Sequence, residues 1–171
     1  MRFLLALAIT LLAAVSAIHI DGCKVVHSDG FVHHVTCERS LVERATPPSR
    51  PVEFTNCTSS CLTGSAGAPD TQHCGVISCV ASYLGEPVRG GPYFTVPAAP
   101  ASNSYNAVAI SFKSCISLYA NMDNTKALNA SFDDWASRIT ALNTDCLVTA
   151  QGHAGVCAPQ NQPYFIQLKH A

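Results

Sequence analysis

Apolar residues recur at helical spacing in two stretches of the chain. Cys74, Ile77, Ala81 and Leu84 step by three and four, the period of one helix face. Pro69 precedes them, Asp70 or Thr71 supplies the N-cap, Gly85 stops the run and Pro87 lies just beyond. The second stripe is Phe132, Trp135, Ile139, Leu142 and Cys146. It opens at Ser131, with Asp134 at the S-x-x-D spacing of a capping box, and it puts Trp135 on the buried side.

Alternation marks the strands. Residues 93–96 form a short candidate bounded by prolines. In 105–112, Val108, Ile110 and Phe112 share a face; in 115–121, Ile116, Leu118 and Ala120 oppose Cys115, Tyr119 and Asn121. Asn121-Met122-Asp123-Asn124 reads as a turn, and strands follow near 155–158 and 164–169. The order is helix, three strands, helix, two strands, with few connections long enough for parallel crossovers. An α+β domain with a mainly antiparallel sheet of about five strands follows. The Ser-, Thr-, Gly- and Cys-rich stretch 56–68 reads as loop tied down by Cys57 and Cys61.

The chain's beginning has a different character. Met1, Arg2 and the apolar run Phe3 to Val15 lead to Val15-Ser16-Ala17, the pattern of a signal peptide (residues 1–17) cleaved after Ala17. The run is short for a membrane span, and the expectation is a secreted, extracellular protein with no membrane span. Residues 18–50 form an N-terminal extension or propeptide ahead of a domain over 51–171. Cys23 to Cys37 reads as a hairpin around Asp29-Gly30. A two-residue turn sets Cys23 opposite Thr36; a longer loop or a bulge would bring it opposite Cys37. The linker Leu41 to Pro51 is proline-rich, and Arg44 offers a processing site, with retention of the extension as the alternative.

The 171 residues carry a formal charge of −1, which becomes −2 once Arg2 leaves with the signal, and only 12% are charged. No basic excess exists to neutralise phosphates, so no nucleic-acid partner is expected. Nine cysteines cannot all pair within one chain. An oxidising compartment makes Cys23, Cys37, Cys57, Cys61, Cys74, Cys115, Cys146 and Cys157 disulfide candidates. Cys79 lies about 140° around its helix from Cys74 and cannot bridge it there. Asn56-Cys57-Thr58 and Asn129-Ala130-Ser131 are glycosylation sequons in expected surface loops, and Asn129 is the better acceptor because a Cys57 disulfide can close before Asn56 is modified.

Catalytic signatures are sparse. The chain lacks a G-x-S-x-G elbow, and nothing in the spacing of His73, His153 and His170 draws them together. Asp133 and Asp134 are adjacent in a first helical turn, where carboxylates complement the dipole. His27 and His34 share a hairpin face diagonally while His33 points away; two ligands are fewer than a structural zinc site needs, so neither metal nor cofactor is expected. A hydrolase or ribonuclease using a His and an acid would have to recruit Glu86, Arg89 and His153. Sugar sites pair an aromatic face with amides and carboxylates, a set offered by Tyr93, Tyr119, Asn121, Asp123 and Tyr164, with Phe94 and Phe165 beside them.

Cys57-Thr58-Ser59-Ser60-Cys61-Leu62-Thr63-Gly64, Gly67-Ala68-Pro69-Asp70, Cys74-Gly75-Val76-Ile77, Phe94-Thr95-Val96, Lys113-Ser114-Cys115, Asp133-Asp134-Trp135, Cys146, Val156-Cys157 and Tyr164-Phe165-Ile166 resemble the fungal glycan-binding family of the Y-three type, small secreted proteins of mushrooms. The resemblance covers roughly residues 54–170. It implies a disulfide-stabilised αβα sandwich, a glycoprotein that recognises oligosaccharides without catalysis, and homodimers joined through the sheet edge. Two departures stand out: Asn129-Ala130-Ser131 occupies a segment where the family often has a cysteine, and Cys79 is an addition. Cys79 is therefore the expected free thiol, buried in the absence of an intermolecular bridge. A small disulfide-rich effector that binds a protein partner is a further alternative.

Overall fold

A computed structural model of the chain describes residues 23–38, 57–63, 67–89, 91–160 and 162–171. The signal segment, the proline-rich linker with Arg44, and Asn56 lie outside the described residues. The described residues form strands β1 (Cys23–Asp29), β2 (Val32–Glu38) and β3 (Ser59–Leu62), helix α1 (Thr71–Leu84), strands β4 (Tyr93–Val96), β5 (Ser104–Phe112), β6 (Cys115–Asn121) and β7 (Leu128–Ser131), helix α2 (Phe132–Leu142), and strands β8 (Ala154–Cys157) and β9 (Tyr164–His170). Seven strands make one antiparallel sheet in the order β1-β2-β5-β6-β9-β8-β3, and β4 pairs with β7 separately. The fold is α+β with a mainly antiparallel sheet and four disulfides.

Both helices start where their caps require. Asp70 accepts a hydrogen bond from the Gln72 amide at α1, and Ser131 accepts one from the Asp134 amide at α2. Gly85 ends α1 with an ordinary right-handed backbone, so the glycine is not needed there for φ. It is needed for space: a Cβ would lie 3.1 Å from Cβ of Phe132. Beyond Leu142 the chain widens into a π-helical turn over Asn143–Thr149, which carries the buried Cys146 to its bond with Cys61.

The helices lie on one face of the sheet. Ile77, Ala81, Trp135, Ile139 and Leu142 pack there against Val108, Ile110, Tyr119, Ile166 and Leu168, and full burial of side chains this size stabilises by about 1.5–3 kcal/mol each. Trp135 Nε1 donates to Ser117 Oγ on β6 at 2.9 Å. The opposite face holds a second cluster of Val35, Tyr105, Ala107, Ala109, Leu118, Ala120 and Phe165, where Tyr105 and Phe165 meet edge-on. The αβα sandwich is thus corrected among the described residues to helices on a single face.

Further expectations change. Five strands become nine among the described residues: the hairpin adds β1 and β2, the segment read as loop supplies β3, tied to β8 by Cys57–Cys157 and to the π-helical turn by Cys61–Cys146, and β7 forms opposite β4. Asn129 accordingly sits in a strand, exposed, rather than in a loop. The N-terminal hairpin is part of the main sheet: β2 pairs with β5 from Val32↔Ile110 to Glu38↔Ser104. Within it the turn falls on Gly30 and Phe31 rather than Asp29-Gly30, which sets His27 directly opposite His34 rather than diagonal to it, and a bulge at Val26 then sets Cys23 opposite Cys37, which are disulfide-bonded. Cys74 bonds Cys115, leaving Cys79 as the free thiol, and Cys79 is exposed rather than buried.

Candidate functional site

The five residues read as a sugar site do not form one rim. Tyr119 and Tyr164 stack 5.6 Å apart in the buried helix-side core, beside Trp135 and Phe94. Burial first, then Tyr164 and Asp134 beside Tyr119 and Asp134 beside Tyr164, raises both hydroxyls above the usual tyrosine range. Asn121 is also buried; its amide donates to the carbonyls of Val96, Pro97 and Lys126 and its oxygen accepts from the Asp123 amide. Asp123 closes the following turn by accepting from Thr125 and Lys126, and the Thr125 hydroxyl bond chiefly holds its carboxyl below the usual range. Three of the five therefore build the interior, and Asp123 pins a turn.

Tyr93 is different. Phe94 and Val96 turn inward from β4, while Tyr93 is 71% exposed on the outer face opposite Ser131. Nearby is an aromatic that the strand reading missed. Tyr83 lies about 180° around α1 from Cys74, on the outward face, and is 46% exposed. The Arg89 guanidinium stacks over its ring, 4.8 Å from the centroid. A large aromatic opposite the apolar stripe was the sequence signal available for it.

The elements that carry these residues meet at one end of the helix layer. The α1 C-terminus abuts Phe132 and Asp133, because a Cβ on Gly85 would lie 3.1 Å from Phe132 Cβ and 3.5 Å from Asp133 Oδ1. The Phe132 amide donates to Pro92 O at 3.0 Å, which brings the start of β4 to the same place. Tyr93 and Asp133 therefore lie by the start of α2, and Tyr83 with Arg89 stands on the end of α1 that abuts it. Asp134 is occupied by its Arg138 ion pair at 3.2 Å.

The residues of the hydrolase reading divide differently. Glu86 and Arg89 follow α1, whereas the His153 amide bonds Leu62 O beside the π-helical turn. Asn143 Nδ2 bonds Thr71 O, placing that turn at the other end of α1, about 21 Å away for 14 residues. Glu86 and Arg89 are therefore not brought to His153. His73 does meet a hydroxyl: its Nδ1 lies 2.9 Å from Ser114 Oγ, and its Nε2 lies 3.9 Å from Asp70 Oδ2. The Cys74–Cys115 bond joins the immediate neighbours of His73 and Ser114 and holds them together. Ser114 Oγ also accepts from the Asp70 amide at 3.0 Å, so this cluster fastens the start of α1 to the β5–β6 turn.

No protein-family model matches the chain, and no curated protein does. Among the described residues no helix is long and apolar enough to cross a membrane.

Proposed function

We propose that the protein is a secreted glycan-binding protein that recognises oligosaccharides without a chemical step. The carrying observation is two exposed aromatics, Tyr93 and the Arg89-stacked Tyr83, on elements that meet at the start of α2. An aromatic ring takes the apolar face of a pyranose, while Arg89 and Asp133 supply donors and acceptors for its hydroxyls. Four disulfides fit an oxidising, extracellular setting, and the resemblance to the fungal family points the same way. Homodimerisation through a sheet edge belongs to this reading, and the edges on offer are β1 and β3. A glycan array probed with the full chain tests it: binding that is lost in Tyr93→Ala is expected, and no binding to any sugar at high micromolar protein overturns it.

The Ser114–His73–Asp70 cluster favours a second reading, a hydrolase with Ser114 as nucleophile and His73 as base. Its Nε2 to Asp70 separation of 3.9 Å exceeds hydrogen-bond range, which places it behind the binding reading. Ester turnover that vanishes in Ser114→Ala would reverse that order.

A further inference from the structure

We infer that His27 and His34 form a binding site for a divalent transition-metal ion, copper(II) foremost, across the N-terminal hairpin. The turn falls on Gly30 and Phe31, one residue later than Asp29-Gly30, and this makes the two residues a directly opposed cross-strand pair, so both side chains leave the same face of the hairpin. Their ring centroids are 6.1 Å apart at an interplanar angle of 51°. Two imidazoles in adjacent positions on one ion, at metal–nitrogen bonds of ~2 Å, have ring centres roughly 4.5–5 Å apart, a change within side-chain rotation.

Neighbouring groups define what kind of ion this is. His33 points to the other face and has both ring nitrogens committed, at 2.8 Å to Ser28 Oγ and 3.3 Å to Ser111 Oγ. Cys23 and Cys37 are oxidised to a disulfide and supply no thiolate. Among the described residues no three His, Cys, Asp or Glu side chains converge, so these residues provide two nitrogens and leave positions for water or a small ligand. His34 also lines a recess of about 90 Å³ with Thr36, Pro97 and Asn106, which gives such a ligand room. A pair of imidazoles with open oxygen positions suits copper(II), which also stands highest in the affinity order of the first-row divalent ions.

Because the ion would bridge β1 and β2, its binding stabilises the hairpin as well as occupying it. Copper(II) is titrated into the full chain carrying His19→Ala, which removes a competing histidine near the start of the chain. Calorimetry measures affinity, and electron paramagnetic resonance reports the nitrogens bound. One tight equivalent with two imidazole nitrogens is expected. His27→Ala and His34→Ala should each weaken it at least tenfold, while His170→Ala leaves it unchanged. Copper should also slow amide exchange in β1 and β2 and leave β6 unaffected. Equal affinity in the parent and the His27→Ala/His34→Ala double variant, or no slowing of hairpin exchange at saturating copper, overturns the site.

Discussion

Trp135 on α2 donates its indole N–H to Ser117 Oγ on β6 at 2.9 Å, with both residues sealed from solvent. This bond fastens the helix layer to the central strand. Ser117→Ala leaves the indole N–H buried without its acceptor, which costs about 1–3 kcal/mol. Urea denaturation should show a lower midpoint with an unchanged slope, whereas an unchanged midpoint would mean that water replaces the hydroxyl.

Gly155 on β8 lies under the Cys61–Cys146 disulfide. A Cβ there would meet Leu142 Cδ2 at 3.1 Å and Cys146 Cβ and Sγ at 3.2 Å. Overpacking of this kind costs about 1–3 kcal/mol, so Gly155→Ala should melt at a lower temperature than the parent by scanning calorimetry.

Much of this layering is legible in the sequence, because α1 and α2 carry both a stripe and a cap. β3 and β7 are not, since Ser59–Leu62 and Leu128–Ser131 have no strong alternation. β3 is held by two disulfides, and β7 by pairing with β4. The hairpin register turns on a turn placed one residue later than Asp29-Gly30 and on one bulged residue, Val26, neither of which composition marks. The sugar-site reading chose aromatics on strands. Tyr119 and Tyr164, however, lie on adjacent central strands under the helices, so position within the sheet, invisible in alternation, buried them.

His33 is 3% exposed and joins three strands through Ser28 on β1 and Ser111 on β5. Burial lowers its pKa from the ordinary 6.5. The unfolded chain then binds more protons below that value, so the stability His33 contributes is present at neutral pH and is lost as pH falls through 6.5 and below. Urea midpoints from neutral to mildly acidic pH should fall more steeply for the parent than for His33→Gln. Parallel profiles would contradict this.

Cys79 is exposed on α1 and unpaired. A maleimide reagent should therefore label the native, unreduced chain once, and Cys79→Ser should abolish that labelling. A covalent dimer on nonreducing electrophoresis that persists in Cys79→Ser would contradict the disulfide pairing.

The most direct measurement of glycan recognition is a titration of the isotope-labelled chain with the best array sugar, followed by amide and aromatic resonances. The expected result is saturable shifts at Tyr83, Arg89, Tyr93 and Asp133, with affinity reduced at least tenfold in Tyr93→Ala. Shifts confined to other surfaces, or none at millimolar sugar, would contradict it.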